Sequence, residues 1–79
     1  MTIKEKIYEI VARKLKTDAS LIAEDTNLKK ELGADSIDTV EIVFEIEEEY
    51  GIAVPDELAE TINTINDAVS VVEELVENN

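Results

Sequence analysis

The sequence has no cysteine, no histidine and no tryptophan, and only one proline and two glycines. Without cysteine there is neither a disulfide framework nor a thiolate zinc site. Without histidine the commonest general base and the commonest metal ligand are both missing, so a self-contained hydrolase or zinc enzyme would have to be built from other side chains. No metal site is expected. No stretch approaches the ~20 apolar residues that a membrane span requires. The opening Met1-Thr2-Ile3-Lys4-Glu5 has neither an apolar signal region nor an Arg-rich transit sequence, which points to the cytoplasm. Basic residues are scarce as well: seven against twenty acidic ones, for a net charge of −13. Such a surface repels phosphate backbones and anionic headgroups and attracts basic protein patches. Nucleic acid and membranes are therefore poor partners, and a carrier or binding protein is favoured over an enzyme.

What is present suffices for one domain. Seventy-nine residues with 44% apolar content can hold a single small core, so residues 1–79 are expected to form one monomeric domain. Ile3, Ile7, Ile10, Val11 and Leu15 recur at helical spacing, and Thr2 with Glu5 fits a capping box. A first helix is predicted over 3–15. Residues 16–35 lose strict periodicity and form a long loop, pinned to the core by Leu21, Ile22, Leu28 and Leu32 and closed by Gly33. A second helix runs from Ile37 to Tyr50, with Gly51 as its stop. Leu58, Ala59 and Ile62 suggest a short third helix after Pro55. Thr64 with Asp67 opens a final helix with an apolar stripe of Ile65, Ala68, Val69, Val72, Leu75 and Val76. The expected fold is all-α: a four-helix bundle of three longer helices and one short third helix, with a long loop between the first two.

The second helix carries more apolar surface than one buried face needs. At ~100° per residue, Ile42, Val43, Ile46 and Tyr50 fall on one side, while Ile37, Val40 and Phe44 form an adjoining stripe flanked by Glu41, Glu47 and Glu48. Two arrangements are compatible with this distribution. It is one broad core face, or it is a core stripe beside an exposed stripe ringed by carboxylates, which is the composition of a docking surface.

The chemistry concentrates in Gly33-Ala34-Asp35-Ser36-Ile37-Asp38-Thr39-Val40-Glu41. A serine beside aspartate at a helix start is commonly a cap. It can also be a modification site, because a phosphodiester there meets free backbone N–H groups and the positive end of the helix dipole. A glycine just before it allows another protein close to the backbone.

The run Asp35 to Glu41 resembles the attachment motif of acyl carrier proteins of dissociated fatty acid synthase systems. The similarity continues through Glu47-Glu48-Glu49-Tyr50 and Val54-Pro55-Asp56-Glu57 to Ala59, Ile62 and Thr64, and covers most of the chain. The resemblance implies that Ser36 accepts 4'-phosphopantetheine from coenzyme A through a phosphopantetheinyl transferase, with Asp35 helping to hold the metal at the transferase's site. Acyl groups would then ride as thioesters on that arm to fatty acid synthesis enzymes and acyltransferases with basic docking patches. Asp35, Ile37, Asp38, Val40, Glu41, Phe44, Glu47 and Glu48 become the partner-docking residues. Position 37 is Ile and position 44 Phe where the family often has Leu and Met, which bears on partner preference. Thr39-Val40-Glu41 favours the fatty-acid type; a polyketide or other specialised acyl pathway is the alternative.

Ala59 and Ala68, small among Ile46, Val54 and Ile62, either let helices pack closely or leave slack that an acyl chain fills. Similarity to the carriers favours the second, making these five residues an acyl pocket. A calcium sensor fails on spacing: an EF-hand loop has an acidic residue at its first position and glycine at its sixth. Here Leu28 and Ile46 stand in the acidic position relative to Gly33 and Gly51. An acidic bundle that only recruits a basic partner remains distinguishable by mass, since it would bear no prosthetic group.

Overall fold

The computed structural model describes residues 2–77, and among them the elements are all helical. Helix α1 spans Ile3–Leu15, a 3-10 turn Ala19–Leu21, α2 Leu28–Leu32, α3 Ser36–Tyr50, α4 Asp56–Ala59 and α5 Ile65–Glu77. Thr2 caps α1 as its sequence requires: the Glu5 amide donates to Thr2 Oγ1 at 3.1 Å and the Thr2 amide donates to Glu5 Oε1 at 3.0 Å. Thr64 and Asp67 make the equivalent reciprocal pair at the start of α5.

Helix α1 touches both α3 and α5 and so organises the bundle. Its cations mark its register on α3: Lys6 Nζ lies 3.4 Å from Glu49 and Lys14 Nζ 3.4 Å from Glu41, with Arg13 on Glu45 between them. The early residue of α1 meets the late residue of α3, so the two helices run antiparallel. Between them and α5 lies one core containing Ile7, Ile10, Val11, Ile42, Ile46, Ile65 and Val72. Among the described residues it holds no buried polar or charged side chain, so its stability comes from apolar burial and packing rather than internal polar pairs.

The segment 16–35 is more structured than its irregular pattern predicts. Asn27 caps α2, its Oδ1 accepting from the amides of Lys29 and Lys30 at 3.1 and 2.9 Å. Gly33, at φ 72°, ends the helix. The sequence signal is an N-cap Asn, leucines one turn apart and a terminal Gly, short enough to pass for loop. Two backbone bonds strap this segment to the far side of the chain: Leu28 N–H to Asn63 O at 2.8 Å and Asn66 N–H to Glu24 O at 3.0 Å. Ile22 and Leu28 are buried and Leu32 is half-buried, but Leu21 is 71% exposed and does not pin the loop. It closes the 3-10 turn, whose geometry aims Ile22 inward in its place.

Two smaller differences concern the C-terminal third. Helix α4 ends at Ala59, so Ile62 reaches the core from the following turn rather than from the helix. On α5, Val71 is buried while Val76 is 42% exposed. The buried face therefore extends to Val71 beside Val72, and the last turn runs past the end of the core.

Candidate functional site

The start of α3 is fixed by its own side chains. The cap is Asp35, not Ser36: the Asp38 amide donates to Asp35 Oδ1 at 2.8 Å and the Asp35 amide donates to Asp38 Oδ2 at 3.2 Å. Thr39 Oγ1 adds a bond to the Asp35 carbonyl at 3.1 Å. Ser36 is therefore the first helical residue. It is exposed, and its hydroxyl takes no part in these bonds. The amides of Ser36 and Ile37 are left over from cap and ladder alike, at the positive end of the dipole. A phosphodiester on Ser36 Oγ fits this arrangement: its charge is favoured and its oxygens have donors within the same turn.

The approach to Ser36 is equally determined. Ala34 is 5% exposed and its amide donates to the Leu28 carbonyl at 3.0 Å, which anchors the peptide before the cap. Gly33 has a reason that needs no partner. Its φ of 72° suits glycine, while a Cβ there would meet nothing within 4 Å.

Below Ser36 the outer side of α3 is apolar and open. Ile37 and Val40 are each 66% exposed and Phe44 is 57% exposed, whereas Ile42, Val43 and Ile46 are buried. Of the two arrangements that the sequence allows for this helix, the structure has the core stripe beside an exposed stripe. Val40 and Phe44 border a shallow groove toward α1, floored by Ile10 and edged by Lys14, Glu41 and Glu48.

The carboxylates around this ridge are not equivalent. Glu48 is exposed. Glu41 is exposed but pairs with Lys14, and Glu45 pairs with Arg13 and with Lys14 at 3.5 Å. The Arg13 guanidinium, hydrogen-bonded to Glu45, holds that carboxyl below its usual range against a smaller opposing effect of burial. Asp38 is engaged in the cap. Glu47 turns toward its own chain: its Oε2 accepts the Val54 amide at 2.7 Å and ties down the segment that follows α3.

The residues singled out for an acyl pocket also come together. Ile46, Val54, Ile62 and Ala68 are buried in the common core, and Ala59 is half-buried against it. Sequence inspection overlooked Arg13 and Lys14 as neighbours of this surface. Lys6 and Arg13, spaced two turns apart on one face of α1, were the available signal. Among the described residues no helix is long and apolar enough to cross a membrane.

Comparison with known proteins bears on this geometry. The family model described as a phosphopantetheine attachment site matches residues 5–72. The acyl carrier protein of Thermotoga maritima is 31% identical over 94% of this chain and 86% of its own, with a TM-score of 0.79. The acyl carrier protein of Enterococcus faecalis is 33% identical over 99% of this chain and 100% of its own, with a TM-score of 0.71. The apo doublet acyl carrier protein from prodigiosin biosynthesis is 26% identical, with a TM-score of 0.80 over 91% of this chain, which spans 35% of the doublet's length. The family match covers most of the helical bundle, including the whole of α3 and its cap. The chain belongs to the phosphopantetheine-attachment family: it is an acyl carrier protein, a non-catalytic carrier whose prosthetic group is phosphopantetheine.

Proposed function

We propose that Ser36 is the residue that receives phosphopantetheine, and that the loaded chain carries fatty acyl intermediates as thioesters between the enzymes of a dissociated synthase. The observation that supports this assignment most is the division of labour at the start of α3. Asp35 does the capping, so the adjacent Ser36 hydroxyl stays exposed and uncommitted beside free first-turn amides. Asp35 uses Oδ1 in the cap and offers Oδ2 to the metal of the transferase. The arm supplies the thiol; the protein supplies the platform and the address.

The address is the ridge of Ile37, Val40 and Phe44 with Glu41 and Glu48 beside it. Its apolar residues give affinity and its acids orient basic partners, among them the phosphopantetheinyl transferase and the enzymes of fatty acid synthesis. Residues 1–79 act as one monomeric cytoplasmic domain, and the core around Ile46, Val54, Ala59, Ile62 and Ala68 shelters the bound chain. The Thr39-Val40-Glu41 continuation favours the fatty-acid role. The likeness to the prodigiosin doublet supports a second reading, a specialised acyl pathway.

Incubation with a phosphopantetheinyl transferase, magnesium and coenzyme A should add one phosphopantetheine by intact mass, and Ser36→Ala should abolish the addition. An alanine variant that is still fully modified would remove Ser36 from its role. Elongation of the acetylated holo protein by a fatty acid ketosynthase, but not by a polyketide one, separates the two pathways.

A further inference from the structure

Helix α3 carries six acids, and three of them, Glu41, Glu45 and Glu49, are held by cations of α1. Lys14 bridges Glu41 and Glu45 at 3.4 and 3.5 Å, and Arg13 doubles the contact to Glu45. Lys14, Glu41, Val40 and Phe44 border the same groove. Basic side chains are scarce in this molecule, seven in all, yet two adjacent ones stand on the edge of the surface that a basic partner is expected to meet. We infer that Arg13 and Lys14 are specificity-determining residues: they occupy the acids on the α1 edge of the docking ridge as an internal competitor that every cationic partner must displace.

This inference rests on the docking role proposed for α3. The physical consequence is directional. A partner whose cation falls on Glu48, one turn beyond Glu45 in the same groove, finds an exposed carboxylate outside the pairs with α1. A partner whose cations fall on Glu41 and Glu45 meets two positive charges first and must exchange one ion pair for another, with little net gain. Discrimination among basic partners then follows from where their charges sit as well as how many they have. The pairs are accessible enough to exchange: the Arg13 side chain is 59% exposed and that of Glu41 51%.

The test is the association rate with a phosphopantetheinyl transferase, measured by stopped flow at low and high salt. Lys14→Gln and the double variant Arg13→Gln/Lys14→Gln are compared with Lys4→Gln. Lys4→Gln makes the same change in net charge as Lys14→Gln, but at a residue paired with Glu24 in the loop. Freed acids should raise the rate about twofold for Lys14→Gln and about fourfold for the double variant at low salt, with the gain lost as salt screens it. Lys4→Gln should stay within the error of the parent. Equal acceleration by Lys4→Gln would reduce the effect to net charge and overturn the inference. Slower association would overturn it too, because Arg13 and Lys14 would then be contacting the partner directly. Glu41→Gln separates the two levels. If it slows association while Lys14→Gln changes nothing, the docking face stands and the competitor does not. If Glu41→Gln has no effect, the docking face itself falls and the inference with it.

Discussion

Replacing Glu47 by alanine asks whether a carboxylate on the docking helix serves partners or the fold. Three bonds converge from the segment after α3 onto Glu47. Its carbonyl accepts the amides of Gly51 and, at 3.1 Å, of Ile52, while its side chain accepts the amide of Val54 at 2.7 Å. Only the last is lost in Glu47→Ala. Val54 is 8% exposed, so its amide is poorly placed to recruit water in exchange. A hydrogen bond to a charged acceptor is worth about 1.5–3 kcal/mol, and the partial exposure of Glu47 argues for the lower part of that range. At ~4–8 °C per kcal/mol for a domain of this size, a loss of about 1.5–2 kcal/mol lowers Tm by roughly 6–16 °C. Glu47→Gln keeps an acceptor without its charge and should lose about half as much. Glu48→Ala is the matched control, since it removes the same charge from an exposed side chain on the same turn. It should change stability by no more than about 0.5 kcal/mol. The assay is thermal denaturation followed by circular dichroism at fixed salt. If Glu47→Ala melts with Glu48→Ala, the bond to Val54 contributes nothing and Glu47 returns to the docking acids.

Three further outcomes are expected. Val40→Ala and Phe44→Ala should leave the melting temperature nearly unchanged, because both side chains are mostly exposed, yet each should weaken binding to a basic partner enzyme, Phe44 by about 1–2 kcal/mol in a titration. The carboxyl of Glu45 is depressed in the folded state by Arg13, so its contribution to stability is complete above its ordinary value near 4.5 and is lost as pH falls through the lower folded value. Acid melts of Glu45→Gln should accordingly show a shallower decline below about pH 4.5 than the parent does. Finally, holo protein loaded with saturated chains of increasing length should melt higher with each added pair of carbons until the interior is filled, at up to ~0.8 kcal/mol per buried methylene. A melting temperature indifferent to chain length would leave the chain in solvent.

How far each part could be read in advance depended on the range of the forces involved. The caps of α1 and α5 and the stop at Gly51 are local chemistry, settled by residues three or four apart, and they stand where Thr2, Thr64 and Gly51 put them. The all-α class followed from the 3.6-residue period, and the motif around Ser36 carried the family. Helix α2 was lost because five residues hold too little periodicity to separate a helix from a pinned loop. Leu21 departs from its expected place for a related reason: hydrophobicity says that a side chain favours burial, while the turn that carries it decides which neighbour is aimed inward.

The sequence by itself determined the three longer helices, the caps of α1 and α5 and the stop at Gly51, which depend on near neighbours along the chain, and the excess of acid, which is composition alone. The tertiary structure alone decided which apolar stripe of α3 faces out, because that depends on where α1 and α5 lie. It alone sorted six similar acids into a cap, a backbone tether, three ion-paired residues and the exposed Glu48. A carboxylate's charge is fixed by its identity, but the partner that charge finds lies across the fold. For Glu41 and Glu45 that partner comes from α1, on the far side of a long connection: the spacing of Lys6 and Arg13 marks a basic face there, but only the packing of α1 on α3 decides which acids it meets.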